Sequence, residues 1–194
     1  MTNEKFSTLK SKNNHFIAYN ELKGKKNRPK IIFLGGYMSD MEGTKALRLQ
    51  DYCINNDLSF VRFDYYGHGK SSGKFIDGTI GIWKENVLQV IDELSDGPII
   101  LVGSSLGGWL MLLAAIARKK RVVGIVGIAS APDFTEKLMW ECFNDEQKKE
   151  MQEKGVYNLE SEYGEDPYPI TMNLITDGRK HLLLDRNIDI TCPI

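Results

Sequence analysis

The 194-residue sequence is poor in the residues that staple or metallate small proteins. It has three cysteines, Cys53, Cys142 and Cys192, and three histidines, His15, His68 and His181. An odd cysteine count at wide spacing excludes a disulfide framework and argues against a zinc site. Thiols kept reduced point to the cytoplasm. No metal and no cofactor is expected. Neither sign of charge dominates: 25 basic and 26 acidic side chains give a net charge of −1. That balance offers no electrostatic case for nucleic acid or an anionic membrane. No apolar run is long enough to span a bilayer. The start, Met1-Thr2-Asn3-Glu4-Lys5-Phe6, lacks the apolar core of a secretory signal.

Hydrophobic residues make up 42% of the chain and charged residues 26%. Those fractions suit one soluble globular domain with a sizeable core. Lys30-Ile31-Ile32-Phe33-Leu34 is a continuous apolar run ending in Gly35-Gly36, as in a strand buried on both faces. Ser59 to Phe63, Ile99 to Gly103 and Val122 to Ile128 read as further strands, and His15 to Asn20 alternates weakly. Between them, Ser39-Asp40-Met41-Glu42 resembles a capping box opening a helix to about Asn56. Ile80, Trp83, Val87, Val90, Ile91 and Leu94 keep helical spacing. Residues 106–118 form an almost wholly apolar, and therefore buried, helix. Strands alternating with helices imply an α/β fold, a mostly parallel sheet covered on both faces. The pattern predicts three parts: a core over 1–130, a helical insert over 131–187 and the start of an incomplete strand over 188–194. Within the insert no strand is predicted, and Asp133-Phe134-Thr135-Glu136 offers a second capping box.

The chemistry concentrates at Gly103-Ser104-Ser105-Leu106-Gly107-Gly108. A strand, then G-x-S-x-G, then a buried helix is the layout of a nucleophile elbow with Ser105 at its tip. Small residues allow the tight turn, and Gly103, Gly107 and Gly108 supply them. The backbone N–H of Leu106 then faces a developing oxyanion, and the loop after the preceding central strand offers a second donor at Tyr37. The bland alternative is that Ser105 only caps the helix. A serine hydroxyl also needs a base, usually a histidine oriented by a carboxylate. His68 lies at the same sheet edge, and His181 alone follows Ser105. Asp133, after strand 122–128, is the candidate acid. Gly67-His68-Gly69-Lys70-Ser71 superficially matches the end of a phosphate loop, but Asp64 stands where the first glycine belongs and no helix follows.

These residues together resemble a known family. The strand before Gly35-Gly36, Asp64-x-x-Gly67-His68-Gly69-x-Ser71 and the elbow, in that order, look like the α/β-hydrolase superfamily. Phe33 to Met41, Phe63 to Gly69 and Ala131 to Thr135 are similar to the α/β-hydrolase-domain group that includes a mitochondrial protein depalmitoylase and its bacterial relatives. The similarity runs from about Ile31 to the C-terminus. It implies an α/β-hydrolase fold, Ser105 as nucleophile, Leu106 and Tyr37 as oxyanion donors, and 131–187 as a lid over an acyl pocket. It also implies that Asp64 to Ser71 is a structural loop. In the family, the acid follows the strand that would begin near Cys192 and the histidine comes later, so the resemblance implies C-terminal truncation.

Three functions follow as expectations. The first is a serine hydrolase of esters or thioesters, taking a small acyl substrate or an acylated protein and completed by a C-terminal fragment as partner. The second is an inactive remnant or ligand-binding module. The third is an improvised triad of Asp133 with His68 or His181.

Overall fold

The computed structural model describes residues 6–11, 14–25, 27–159 and 167–194. The first residues, Met1 to Lys5, in which no apolar secretory core is expected, lie outside them. A six-stranded sheet forms the centre. Its strands are β1 (Ser7–Lys10), β2 (Phe16–Leu22), β3 (Lys30–Leu34), β4 (Phe60–Phe63), β5 (Ile99–Ser104) and β6 (Val122–Ile128). The spatial order is β1-β2-β4-β3-β5-β6. β4, β3, β5 and β6 are parallel, while β2 runs antiparallel to β1 and β4. The α/β-hydrolase arrangement implied by the sequence is thus present.

Helices α1 (Thr44–Asn55), α2 (Ile80–Leu94) and α3 (Leu106–Ala117) make the crossovers. Alternation along the strands decides which face each covers. Ile31 and Phe33 pack with Ala46 and Cys53 of α1. Ile32 and Leu34 pack instead with Trp83, Val87 and Ile91 of α2 and with Trp109 and Leu110 of α3. The continuous apolar run over 30–34 therefore has its physical cause in burial on both sides.

The chain leaves β3 toward β4 but later moves from β5 outward to β6. That reversal puts a topological switch point at the C-terminal ends of β3 and β5, where α/β sheets bind ligands.

Several local expectations are corrected. Ser39 to Glu42 forms no capping box. The Glu42 N–H donates to Asp40 Oδ1 at 2.9 Å, and α1 starts later, at Thr44, with Gly43 preceding it. Segment 131–187 is not purely helical. It holds α4 (Asp145–Lys154), α5 (Met172–Gly178) and an antiparallel pair, β7 (Val156–Leu159) and β8 (Tyr168–Thr171). The proline in β8 and the long connection hid that pair from a pattern search. α4 opens with the box actually formed in this segment, Asn144 with Gln147. Residues 188–194 make no strand, although the Ile125 N–H on the outer edge of β6 donates to the Pro193 carbonyl at 3.0 Å. No helix among the described residues is long and apolar enough to cross a membrane.

α3 approaches β3 very closely at Gly107. A Cβ there would lie 2.6 Å from the Gly35 carbonyl oxygen and would overlap that of Leu34. Helix propensity alone would favour alanine over glycine by about 1 kcal/mol. Backbone overlap outweighs that gain, so Gly107→Ala should lower unfolding free energy by about 2 kcal/mol or more. Gly97→Ala, where a Cβ meets nothing within 4 Å, should be close to neutral. Urea denaturation of the two variants separates these outcomes.

Candidate functional site

β5 delivers Ser105 to the switch point in a conformation that few residues adopt. Its φ is 52° and ψ is −116°, outside the basins that L residues prefer. Such backbone costs about 1–3 kcal/mol and persists only where surroundings over-determine it. Here they do. The Ser105 N–H donates to the Ile128 carbonyl at 3.1 Å. The Ser105 carbonyl accepts from Gly108 at 2.9 Å and from Ala131 at 3.1 Å. Three segments thus fix the peptide planes on either side of it.

The elbow glycines are required by space. A Cβ on Gly103 would sit 2.7 Å from the Gly107 carbonyl carbon, and one on Gly108 would meet Ser130 Cβ at 2.5 Å. The Ser105 side chain makes no capping hydrogen bond to α3. Helix capping is therefore not its role, and its hydroxyl has no hydrogen-bond partner among the described residues.

Leu106 is the first residue of α3, so its N–H has no intrahelical acceptor. It stands beside Ser105 at the positive end of the helix. Gly36, on the loop after β3, packs against the elbow: a Cβ on it would be 3.5 Å from Ser105 Cβ. Tyr37 follows, and the Ser39 N–H closes a turn onto the Gly36 carbonyl at 3.2 Å. The structure therefore brings Ser105, Leu106 and Tyr37 to one place, with Gly103, Gly107 and Gly108 behind them.

A cavity of about 570 Å³ opens there. Ser104, Ser105 and Gly36 contribute to its floor, and Phe134, Leu138, Met139, Leu159 and Tyr168 supply apolar walls from segment 131–187. Leu138 is 64% exposed and stands at the rim. Sequence reasoning missed Leu159 and Tyr168, because their strands were missed. Phe134 and Leu138 lay in sight but without a pattern that singled them out.

None of the three histidines lines this cavity. His68 is buried among Tyr65, Phe75 and Trp83, with ring centroids 5.0–5.4 Å away. Its Nδ1 lies 3.2 Å from the Tyr66 carbonyl, which can only accept, so Nδ1 carries the proton. Burial holds its pKa down at about 4. The loop around it is anchored by Asp64, whose carboxylate accepts from Met41 at 2.6 Å and Lys70 at 2.8 Å. The residue that breaks the phosphate-loop pattern is the one that organises this loop. His181 Nε2 is 3.7 Å from Asp177 Oδ2. That carboxylate also accepts from Gly81 in the first turn of α2, at 2.7 Å. Burial lowers the His181 pKa, outweighing the pull of Asp177. His15 stacks edge-on to Tyr66.

Asp133 is fully buried with φ at 59°. It neither meets a histidine nor caps a helix. Its carboxylate accepts from Leu183 at 2.9 and 3.0 Å and from Leu184 at 2.8 Å, pinning the segment that follows α5. Glu136, the other half of the expected box, pairs instead with Arg179 at 2.7 Å. An improvised triad of Asp133 with His68 or His181 does not form.

A strained serine between a strand and a buried helix, at the switch point of a parallel sheet, defines the α/β-hydrolase class. The chain belongs to that family: the alpha/beta hydrolase family model matches residues 31–170. The human protein named "Palmitoyl-protein thioesterase ABHD10, mitochondrial" is 46% identical over 179 residues, 92% of this chain. The chain spans 58% of that relative's length. Mouse alpha/beta hydrolase domain-containing protein 10 superposes with a TM-score of 0.87 at 41% identity, covering 97% of this chain and 75% of the mouse one. A bacterial hydrolase from Agrobacterium vitis superposes with a TM-score of 0.90 at 38% identity, over 97% of this chain and 76% of its own.

These relatives correct one expectation. The proteins from human, Pongo abelii and Bos taurus are all named as mitochondrial, which points away from the cytoplasm. Unpaired cysteines indicate a reducing surrounding and cannot distinguish one reducing compartment from another.

The His68 environment generates a pH prediction. The unfolded side chain titrates near 6.5 and the folded one near 4. Between those values the unfolded chain binds more protons. The contribution of neutral His68 is therefore complete above about pH 6.5 and falls as pH drops toward 4, by about 3 kcal/mol in all. His68→Asn, which keeps a donor near Nδ1, should flatten this part of the stability profile. Chemical denaturation between pH 7 and about 4 provides the check.

Proposed function

We propose that this chain carries the nucleophilic half of a serine hydrolase acting on esters or thioesters, of the acyl-protein thioesterase type. The observation that carries the reading is the strained Ser105, free of a capping bond, lining a largely apolar cavity. Ser105 Oγ attacks the acyl carbonyl carbon. The oxyanion so formed is held by the N–H groups of Leu106 and Tyr37. Collapse expels the thiolate or alkoxide and leaves an acyl-serine, which water then hydrolyses. Segment 131–187 acts as the lid, its apolar walls receiving the acyl chain. The similarity to palmitoyl-protein thioesterases supports an acylated protein or a small acyl ester as substrate.

The proton of Ser105 Oγ needs an acceptor, and no histidine lines the cavity. We assign base and acid to a complementing segment, with this chain supplying nucleophile, oxyanion donors and acyl pocket. Without the base, the oxyanion hole and binding sustain only about 10³–10⁴-fold acceleration over water. The same observation supports a second reading, a ligand-binding module without turnover.

A serine-directed fluorophosphonate should label this chain at Ser105, and Ser105→Ala should abolish labelling. Thioester hydrolysis should be slow with the chain alone and rise by orders of magnitude when a segment bearing a histidine and a carboxylate is added. Absence of label on Ser105 with that segment present sinks the hydrolase reading and leaves the binding module.

A further inference from the structure

The Tyr37 side chain does something that a backbone oxyanion donor does not require. Its hydroxyl donates to the Pro169 carbonyl in β8 at 2.8 Å, across 132 residues of sequence. Its ring lies edge-on to Phe75 at 4.9 Å and Phe134 at 5.8 Å, and 6.2 Å from Tyr168, the neighbour of Pro169. Burial raises the phenol pKa, which keeps the hydroxyl a neutral donor at ordinary pH. The next residue, Met38, has φ at 53°, a left-handed conformation unusual for a long side chain. The loop that carries the Tyr37 N–H is thus a tight turn whose own backbone preferences do not favour it. Its longest lever is the tyrosine ring, and the end of that lever is tied to the hairpin over the cavity.

We infer that Tyr37 is a positioning residue which couples the β7–β8 hairpin to the oxyanion hole. The inference rests on the reading of Ser105 as nucleophile. Tyr37 and Tyr168 both line the cavity. An acyl group seated between them holds the hairpin against the core, and the hydroxyl-to-Pro169 bond transmits that position to the Tyr37 N–H. When the hairpin lifts, the bond breaks, the turn at Gly36–Met38 loses its anchor and the second donor moves off the oxyanion. Loss of one such donor costs about 10²–10³ in rate, and a displacement near 1 Å takes a large share of that. The hole is therefore complete only while the lid is closed, which ties reaction at Ser105 to occupancy of the acyl pocket.

The test uses Tyr37→Phe, which keeps the ring contacts and removes only the hydroxyl, with Gly97→Ala, outside the cavity lining, as the control. Fluorophosphonate labelling of Ser105 passes through a pentacoordinate state with its oxygen in the same hole. Tyr37→Phe should slow it about tenfold. Affinity for octanoate, a ground-state ligand of the pocket, should fall by a smaller factor than the labelling rate, because ligand and bond favour the same closed hairpin. Amide hydrogen exchange should rise together at 36–39 and at 167–171. Gly97→Ala should match wild type in all three measurements. Faster exchange at one segment without the other, or wild-type labelling in Tyr37→Phe, overturns the coupling. If wild-type Ser105 takes no label with the complementing segment present, the hydrolase reading fails, while the paired exchange response still decides whether the two segments are coupled.

Discussion

The backbone of Ser105 is held in a conformation it would not choose, and the rest of the site depends on what holds it. Hydrogen bonds from β6, from the first turn of α3 and from Ala131 fix the two peptide planes around it. Those bonds can form only because α3 lies almost in contact with β3 and β5. Gly103, Gly107 and Gly108 permit that approach, and each would place a Cβ inside a neighbouring atom if substituted. Large apolar groups on both faces of the sheet supply the free energy that strain at one residue consumes. Trp83, Trp109, Ile32, Leu34 and Leu101 on one face, and Cys53 and Phe60 on the other, are inaccessible to solvent.

The buried carboxylates show how polar groups are used around that core. Asp64 accepts two backbone N–H groups and shapes the loop that encloses His68. Asp133 accepts from Leu183 and Leu184 and so fastens the end of segment 131–187 to its beginning. Asp177 reaches back to the first turn of α2. Burial acts on that carboxylate to raise its pKa, and the hydrogen bonds from Gly81 and Thr79 together with Lys180 outweigh it, leaving the group below its usual range. All three acids organise backbone. None lines the cavity at Ser105, so the structural polar network stands apart from that serine.

The sequence pattern was most legible where one constraint acted on every residue of a segment. β3 and β5 announce themselves because both faces are buried, and α2 does so because a single face is. The elbow was legible because its glycines and serine answer to local geometry that repeats wherever this chemistry occurs. Legibility failed where a residue's partner lies far away in sequence. Ser39 to Glu42 and Asp133 to Glu136 carry the spacing of capping boxes, yet a local turn at Asp40 takes the Glu42 N–H and tertiary contacts claim the Asp133 carboxylate. β7 and β8 are four residues each and half-buried, so neither period nor apolarity marks them.

From sequence alone came the α/β class, the order of the core elements, the identity of Ser105 and the scarcity of bases to serve it. Those are consequences of local backbone rules and of hydrophobic period, which need only near neighbours. Tertiary structure decided the rest. It put His68 into an aromatic enclosure, set His181 beside Asp177 of α5, and gave Asp133 to two backbone amides. It also joined Tyr37 to Pro169 across the cavity. Each of those outcomes depends on which distant donor or acceptor arrives at hydrogen-bonding distance after the chain has packed, and residue spacing carries no record of that.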